Sequence, residues 1–133
     1  MPSPGKFSSA LIAALRDAKS VRLRAGGRHR FIGIWVVVVE DRAFVRSWSL
    51  KPRGWYRALL ADPRGSIQLA ERTVAIHAIR TRSARLKAAV DRAYLGKYAT
   101  SWELKYAKDL TSPRSRASTI ELRPVRSGGP TRP

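Results

Sequence analysis

The sequence predicts an α+β fold whose antiparallel strands close into a barrel. Three observations lead there. Short runs of strand period are joined by hairpin-like turns, as in VRLRA before Gly26-Gly27 and SIQLA before TVAIHAIR. One run, FIGIWVVVVE over 31–40, is apolar on both faces and rich in β-branched residues, so it must be covered on each side. Helical patterns are inserted between hairpins without strict βα alternation, which argues against a doubly wound parallel sheet. About six short strands leave no exposed edge if they curl on themselves.

Ser8 or Ser9 caps a first helix to about Lys19, with Leu11, Ile12 and Leu15 on one face. SVRLRA alternates Val21, Leu23 and Ala25 against Arg22 and Arg24, and Gly26-Gly27 supplies a tight turn. After the apolar run, Glu40-Asp41-Arg42 turns the chain into AFVRSWS, in which Phe44, Arg46 and Trp48 share one face. LKPRG is a loop, and WYRALLAD a short helix ended at Pro63, with Trp55 and Leu59 placed in the core. A second hairpin turns at Glu71-Arg72. A longer helix then runs from about Ser83 to Lys97, and Ser101 can cap another, WELKYAKDL. STIELRPV is the last strand. Residues 1–7 and 126–133 are rich in Pro, Gly and Ser and are expected to fray, leaving one domain over 8–125.

The 133 residues carry 27 Lys plus Arg against 9 Asp plus Glu, a net charge of +18 that attracts polyanions. The cations are scattered from Lys6 to Arg132, and Arg greatly outnumbers Lys, so compositional bias accounts for them as well as selection for binding does. Without cysteine there is no disulfide, thiol nucleophile or thiolate metal site. No apolar run approaches the ~18 residues of a membrane span. The N-terminal apolar patch is short and broken by Arg16 and Asp17, which makes a poor signal peptide. A cytoplasmic protein is expected.

Hydrolytic chemistry is poorly supplied. His29 and His77 fall in predicted strands with no carboxylate at a suggestive spacing, so no metal site is expected, although His77 keeps a minor reading as a haem or metal ligand. No glycine motif for phosphate is present. Catalysis would therefore rest on a bound cofactor, with the protein supplying orientation and charge. Three clusters are placed to hold one: Arg28-His29-Arg30, Arg46-Ser47-Trp48, and Lys51-Pro52-Arg53 leading into Trp55. Arginine forks pair with phosphate, and indoles stack on flat heterocycles. Taken singly, each Trp also suits a core and each Arg a solvated surface.

The order IWVVVVEDRAFVRSW, loop, GWYRALLADPRGSIQL resembles the flavin-binding split β-barrel superfamily, in particular its deazaflavin-dependent nitroreductase branch. Trp55, Tyr56, Leu59 and Pro63 match the W-Y-x-x-L-x-x-x-P helix of that branch. DRAYLGKY and LTSPRSRASTIELRP are similar to a family of uncharacterised bacterial domains related to it. The resemblance implies a six-stranded antiparallel split β-barrel with flanking helices, commonly a homodimer with FMN or deazaflavin sites near the subunit interface. It sets Arg28 and Arg30 against cofactor phosphate, Ser47 and Trp48 along the cofactor, and Lys51, Arg53 and Trp55 at the closing loop. The chain departs from the pattern at Phe31-Ile32-Gly33, where a threonine-proline pair is usual, and in its shortened loop. Three readings follow. The first is a hydride-transferring oxidoreductase using FMN or deazaflavin. The second is a cofactor-free homodimer serving in binding or structure. The third is a polyanion or nucleic-acid binder.

Overall fold

The computed structural model describes residues 5–27, 30–48 and 54–125. Its elements, in chain order, are α1 (Ser9–Asp17), β1 (Val21–Ala25), β2 (Ile32–Ile34), β3 (Val36–Val39), β4 (Arg42–Val45), α2 (Trp55–Ala61), β5 (Arg64–Leu69), β6 (Arg72–Arg80), α3 (Ala84–Lys97), α4 (Ser101–Asp109), α5 (Pro113–Ala117) and β7 (Ile120–Pro124). The strands form one antiparallel sheet in the order β2-β1-β5-β6-β7-β4-β3.

The sheet has seven strands rather than the six expected, for one reason. The apolar run over 31–40 is broken at Trp35. Its first part pairs with β1 through Leu23↔Ile32, its second with β4 through Val37↔Phe44. The two edges of the sheet are thus consecutive in sequence and meet through Trp35, which brings the sheet close to a closed barrel. A run apolar on both faces suits this position. Val36 points into the barrel core with Leu23, Ile67, Ile76 and Leu122, while Val37 faces outward onto Val90, Tyr94 and Tyr98 of the α3 region.

Local signals explain the helices. Ser8 and Ser83 accept from the backbone N–H groups of Leu11 and Leu86 at 3.2 and 3.1 Å, satisfying exposed donors of α1 and α3. In α4 the cap is Thr100, one residue before the expected Ser101, because Thr100 and Glu103 close a reciprocal capping box. Helix α5 is an addition to the expected elements, with Ser112 capping a segment that begins at Pro113. In α2, Tyr56 and Leu59 are buried in the barrel core, whereas Trp55 is only partly buried and Leu60 is 40% exposed. The core pair expected at Trp55 and Leu59 therefore shifts by one residue at its first member.

The hairpin at 39–42 closes through Glu40 and Asp41, both at positive φ (55° and 58°). The β5–β6 hairpin turns at Ala70-Glu71, one residue earlier than expected, with Ala70 at φ 54° and Leu69 opposite Arg72. The connection from β1 to β2 is longer than a two-residue glycine turn, since β2 begins at Ile32. Among the described residues, no helix is long and apolar enough to cross a membrane.

Candidate functional site: an aromatic cavity at the strand break

A cavity of about 450 Å³ opens beside Trp35. Its walls bring together all four tryptophans of the chain, Trp35, Trp48, Trp55 and Trp102, with Tyr106 between them. Each comes from a different element. Trp35 is the residue at the β2–β3 break, Trp48 lies just beyond β4, Trp55 starts α2 and Trp102 lies in the first turn of α4. Ile32, Gly33 and Ile34 complete one side.

The rings are held in specific ways. Trp35 stacks parallel on Tyr98 with centroids 3.9 Å apart, and Tyr94 donates its hydroxyl to the Trp35 carbonyl at 2.9 Å. Burial pushes both tyrosine hydroxyls well above the ordinary phenol range, which keeps them as donors. Tyr106 sits between Trp48, edge-on at 6.4 Å, and Trp102, tilted at 5.2 Å. Trp48 also donates its indole N–H to Asp109 at 3.3 Å. Trp48 and Trp102 remain 62% and 67% exposed, an unusual amount of free indole surface on one rim.

The floor is polar and firmly tied. The Arg46 side chain is fully buried. Its Nε donates to Thr119 Oγ1 at 2.8 Å, and its terminal nitrogens donate to the carbonyls of Leu110 and Lys87 at 2.8 Å and to the Asp91 carboxylate. Asp91 also pairs with Arg116. Ser47 is buried beside it. Its backbone N–H donates to Ser118 Oγ at 2.8 Å, and its carbonyl accepts from Ser115 Oγ at 2.8 Å.

The structure thus gathers four of the expected site residues, Arg46, Ser47, Trp48 and Trp55, around one cavity. The Arg46 guanidinium is consumed by protein partners, so it braces the floor rather than presenting a free fork. Arg30 is exposed and does not line the cavity. Arg28, Lys51 and Arg53 lie outside the described residues, although Lys51 and Arg53 directly precede the lining residue Gly54 in sequence. Trp35, Trp102 and Tyr106 were not signalled by the sequence. Trp102 and Tyr106 are spaced i,i+4 on a short helix, which reads equally well as a packing pair.

His77 is in β6, opposite Arg64 and Arg123, and not in the cavity wall. Among the described residues, no three His, Cys, Asp or Glu side chains converge as a metal site would need. A larger cavity of about 580 Å³ lies between α1 and the β4–β7 pair. Its charged walls are largely neutralised internally, Arg16 pairing with Asp41 and Arg42 with Glu121.

Comparison with known proteins bears on both fold and family. The heme storage protein HutZ from Vibrio cholerae superposes with a TM-score of 0.61 at 16% identity, covering 93% of this chain and 92% of that one. A conserved hypothetical protein from Mycobacterium tuberculosis gives 0.58 at 12% identity, covering 96% and 86%. A FAD-binding protein from Mesorhizobium loti gives 0.52 at 16% identity, covering 90% and 89%. At these identities the likeness is one of fold. No match was found among curated proteins. The model of a family described as "Uncharacterized protein conserved in bacteria (DUF2255)" matches residues 11–122.

Proposed function

This chain belongs to the bacterial family DUF2255, and we propose that its aromatic cavity holds the flat ring system of FMN or a deazaflavin, making it a cofactor-dependent oxidoreductase. The observation that carries this reading is the convergence of every tryptophan on one cavity of about 450 Å³. That volume falls within the range typical of ligand sites, and the aromatic rings in its lining suit a planar heterocycle. Four elements each placing an indole on one cavity is more than core packing asks, because two of those indoles face solvent.

The residues fit such a group. Trp48, Trp55 and Trp102 offer ring faces and exclude water from one side. Trp35 is fixed by its stack on Tyr98, and Arg46 with Asp91 keeps the strand end carrying Ser47 and Trp48 in place. Arg28, Arg30, Lys51 and Arg53 are assigned to the phosphate side. A bound flavin or deazaflavin would supply the hydride chemistry that the protein's own side chains lack. The FAD-binding protein from Mesorhizobium loti supports the reading through its shared fold. The heme storage protein supports haem as a second ligand. Among the described lining residues Tyr106 is the only group of a kind that ligates haem iron, which favours the flavin.

The test is titration with FMN, FAD, a deazaflavin cofactor and hemin, followed by tryptophan fluorescence. Saturable quenching by a flavin or deazaflavin is expected, together with about 1–3 kcal/mol weaker binding in Arg30→Ala and in Arg53→Ala. Quenching by hemin alone would replace the flavin with haem. No quenching by any ligand would leave the two cofactor-free readings, and a dimer mass in solution without DNA binding would then select the homodimer. Unchanged affinity in both arginine variants would mean that the phosphate lies elsewhere.

A further inference from the structure

We propose that the outer face of β1, β5, β6 and β7 binds the phosphodiester backbone of a nucleic acid, a function separate from the aromatic cavity. Cross-strand register places three rows of side chains on this face: Arg22–Gln68–Thr73, Arg24–Ser66–Ala75 and Arg64–His77–Arg123. The alternate residues Leu23, Ile67, Ile76 and Leu122 fill the barrel core, so these rows point outward. Four positions of nine are arginine, a fifth is histidine, and none is acidic. The next row, Ile79–Glu121–Phe44, holds an acid, but Glu121 is buried and held by Arg42 and Arg123.

The helices pack elsewhere. Helix α3 lies on β3, α1 contacts β3 and β4, and α2 inserts Tyr56 and Leu59 into the barrel core. Although α2 also meets β1 and β6 and Arg123 borders the cavity beside α1, among the described residues no helix packs chiefly on the outer face of β1, β5 and β6, and its charge selects what can cover it. A second copy docked about a two-fold axis would set arginine rows against arginine rows, which is repulsive.

One further observation points to an absent partner. Arg24 Nε is the only buried side-chain nitrogen or oxygen without a hydrogen-bond partner among the described residues. Buried polar atoms are nearly always satisfied, so this one shows that the described residues supply the Arg24 Nε with no acceptor of its own. The Arg24 guanidinium is also stacked on Phe31, its carbon 4.5 Å from the ring centroid, which holds the fork at the surface. Arg64 is paired with Asp62 and Arg123 with Glu121, whereas neither Arg22 nor Arg24 is ion-paired among the described residues, so these two carry the free charge of the face. Rows spaced by about 7 Å along the strands repeat the donors at regular intervals, and arginine forks match phosphate oxygens. The neutral hydrogen-bonding groups Ser66, Gln68 and Thr73 lie between them. Such a face grips backbone and reads no sequence.

The experiment is fluorescence anisotropy with labelled 20-nucleotide single-stranded and duplex DNA between 50 and 200 mM salt. It compares wild type with Arg22→Gln/Arg24→Gln/Arg123→Gln and with the remote control Arg82→Gln/Arg92→Gln. We expect the face variant to lose at least ten-fold in affinity on one of the two DNAs. The slope of log affinity against log salt should flatten by about 2–3 for the three arginines removed. The remote control should stay within about three-fold. Thr73→Glu, which removes no arginine and adds a negative charge to the face, should weaken binding as well. Equal losses per charge removed in the face and remote variants would overturn the proposal in favour of diffuse attraction to a net +18 chain. Failure to bind either DNA would overturn it outright. Displacement by poly-glutamate as readily as by DNA, charge for charge, would overturn the assignment to nucleic acid.

Discussion

The Arg46 guanidinium and the Asp91 carboxylate form an ion pair beneath the aromatic cavity, with the arginine side chain fully buried and Asp91 shared with Arg116. The pair ties the end of β4 to α3, and three more hydrogen bonds from Arg46 reach Thr119, Leu110 and Lys87. Removing Asp91 leaves the buried guanidinium without its carboxylate, while removing Arg46 leaves Thr119 and the buried carbonyls of Leu110 and Lys87 without their donor and Asp91 with Arg116 alone. We expect Arg46→Met to destabilise the protein by about 3–5 kcal/mol in urea unfolding. Arg46→Met/Asp91→Asn should cost less than the two single losses added together. Additive losses would mean that the two residues are not coupled.

The rim indoles lead to a different outcome. Because Trp48 and Trp102 are mostly exposed, replacing either with alanine should leave the thermal midpoint within a few degrees of wild type. If the cavity holds flavin as proposed, each loss should weaken that binding by about 1–3 kcal/mol, the scale of a lost stacking contact. Trp102→Phe should retain most of the affinity. An alanine variant that lowers stability by several kcal/mol, or binds flavin as wild type does, contradicts the placement of these rings.

Turn strain offers a stabilising change. Ala70 occupies the left-handed region at φ 54°, where a β-carbon is unfavourable and glycine is not. Ala70→Gly should raise stability by about 1 kcal/mol, read from the midpoint of urea unfolding. A decrease would show that the extra freedom of glycine in the unfolded chain outweighs the relief.

Lys97 sets a pH dependence. Its ammonium donates to the carbonyls of Leu15 at 3.1 Å and Val36 at 2.7 Å, with no carboxylate partner at salt-bridge distance among the described residues, and burial lowers its pKa from 10.5 to about 8. Between those two pH values the unfolded chain binds more protons at this site than the folded one, so stability rises with pH. The burden of the buried ammonium is fully present below pH 8 and relieved as pH approaches 10.5. Stability of the wild type relative to Lys97→Met should therefore increase from pH 8 to pH 10. The comparison removes the common contributions of Tyr94 and Tyr98, whose raised pKa values act in the opposite sense above pH 10. A flat or falling difference would show that Lys97 titrates normally.

Much of the barrel was legible because its code is local. Val21, Leu23 and Ala25 alternate with arginine, and only a half-buried strand has that period. Ser83 and Leu86 sit where a cap and its first stripe residue belong. The site was legible only in part. Arg46, Ser47, Trp48 and Trp55 are close in sequence and were singled out together, whereas Trp35 reads as one more apolar residue in a strand and Trp102 as a helix-surface ring.

By itself the sequence determined the strands, the main helices and their caps, the absence of thiol chemistry and the excess of positive charge, all set by residue type and near-neighbour spacing. Only the tertiary structure decided three further matters. The break at Trp35 makes one apolar run serve two edges of the sheet, which depends on pairing partners far along the chain. The guanidinium of Arg46 became a brace rather than a ligand-facing fork, because α3 and the turn before β7 supply it with buried acceptors. The four tryptophans became one surface because closure of the barrel brings residues 35, 48, 55 and 102 to the same opening.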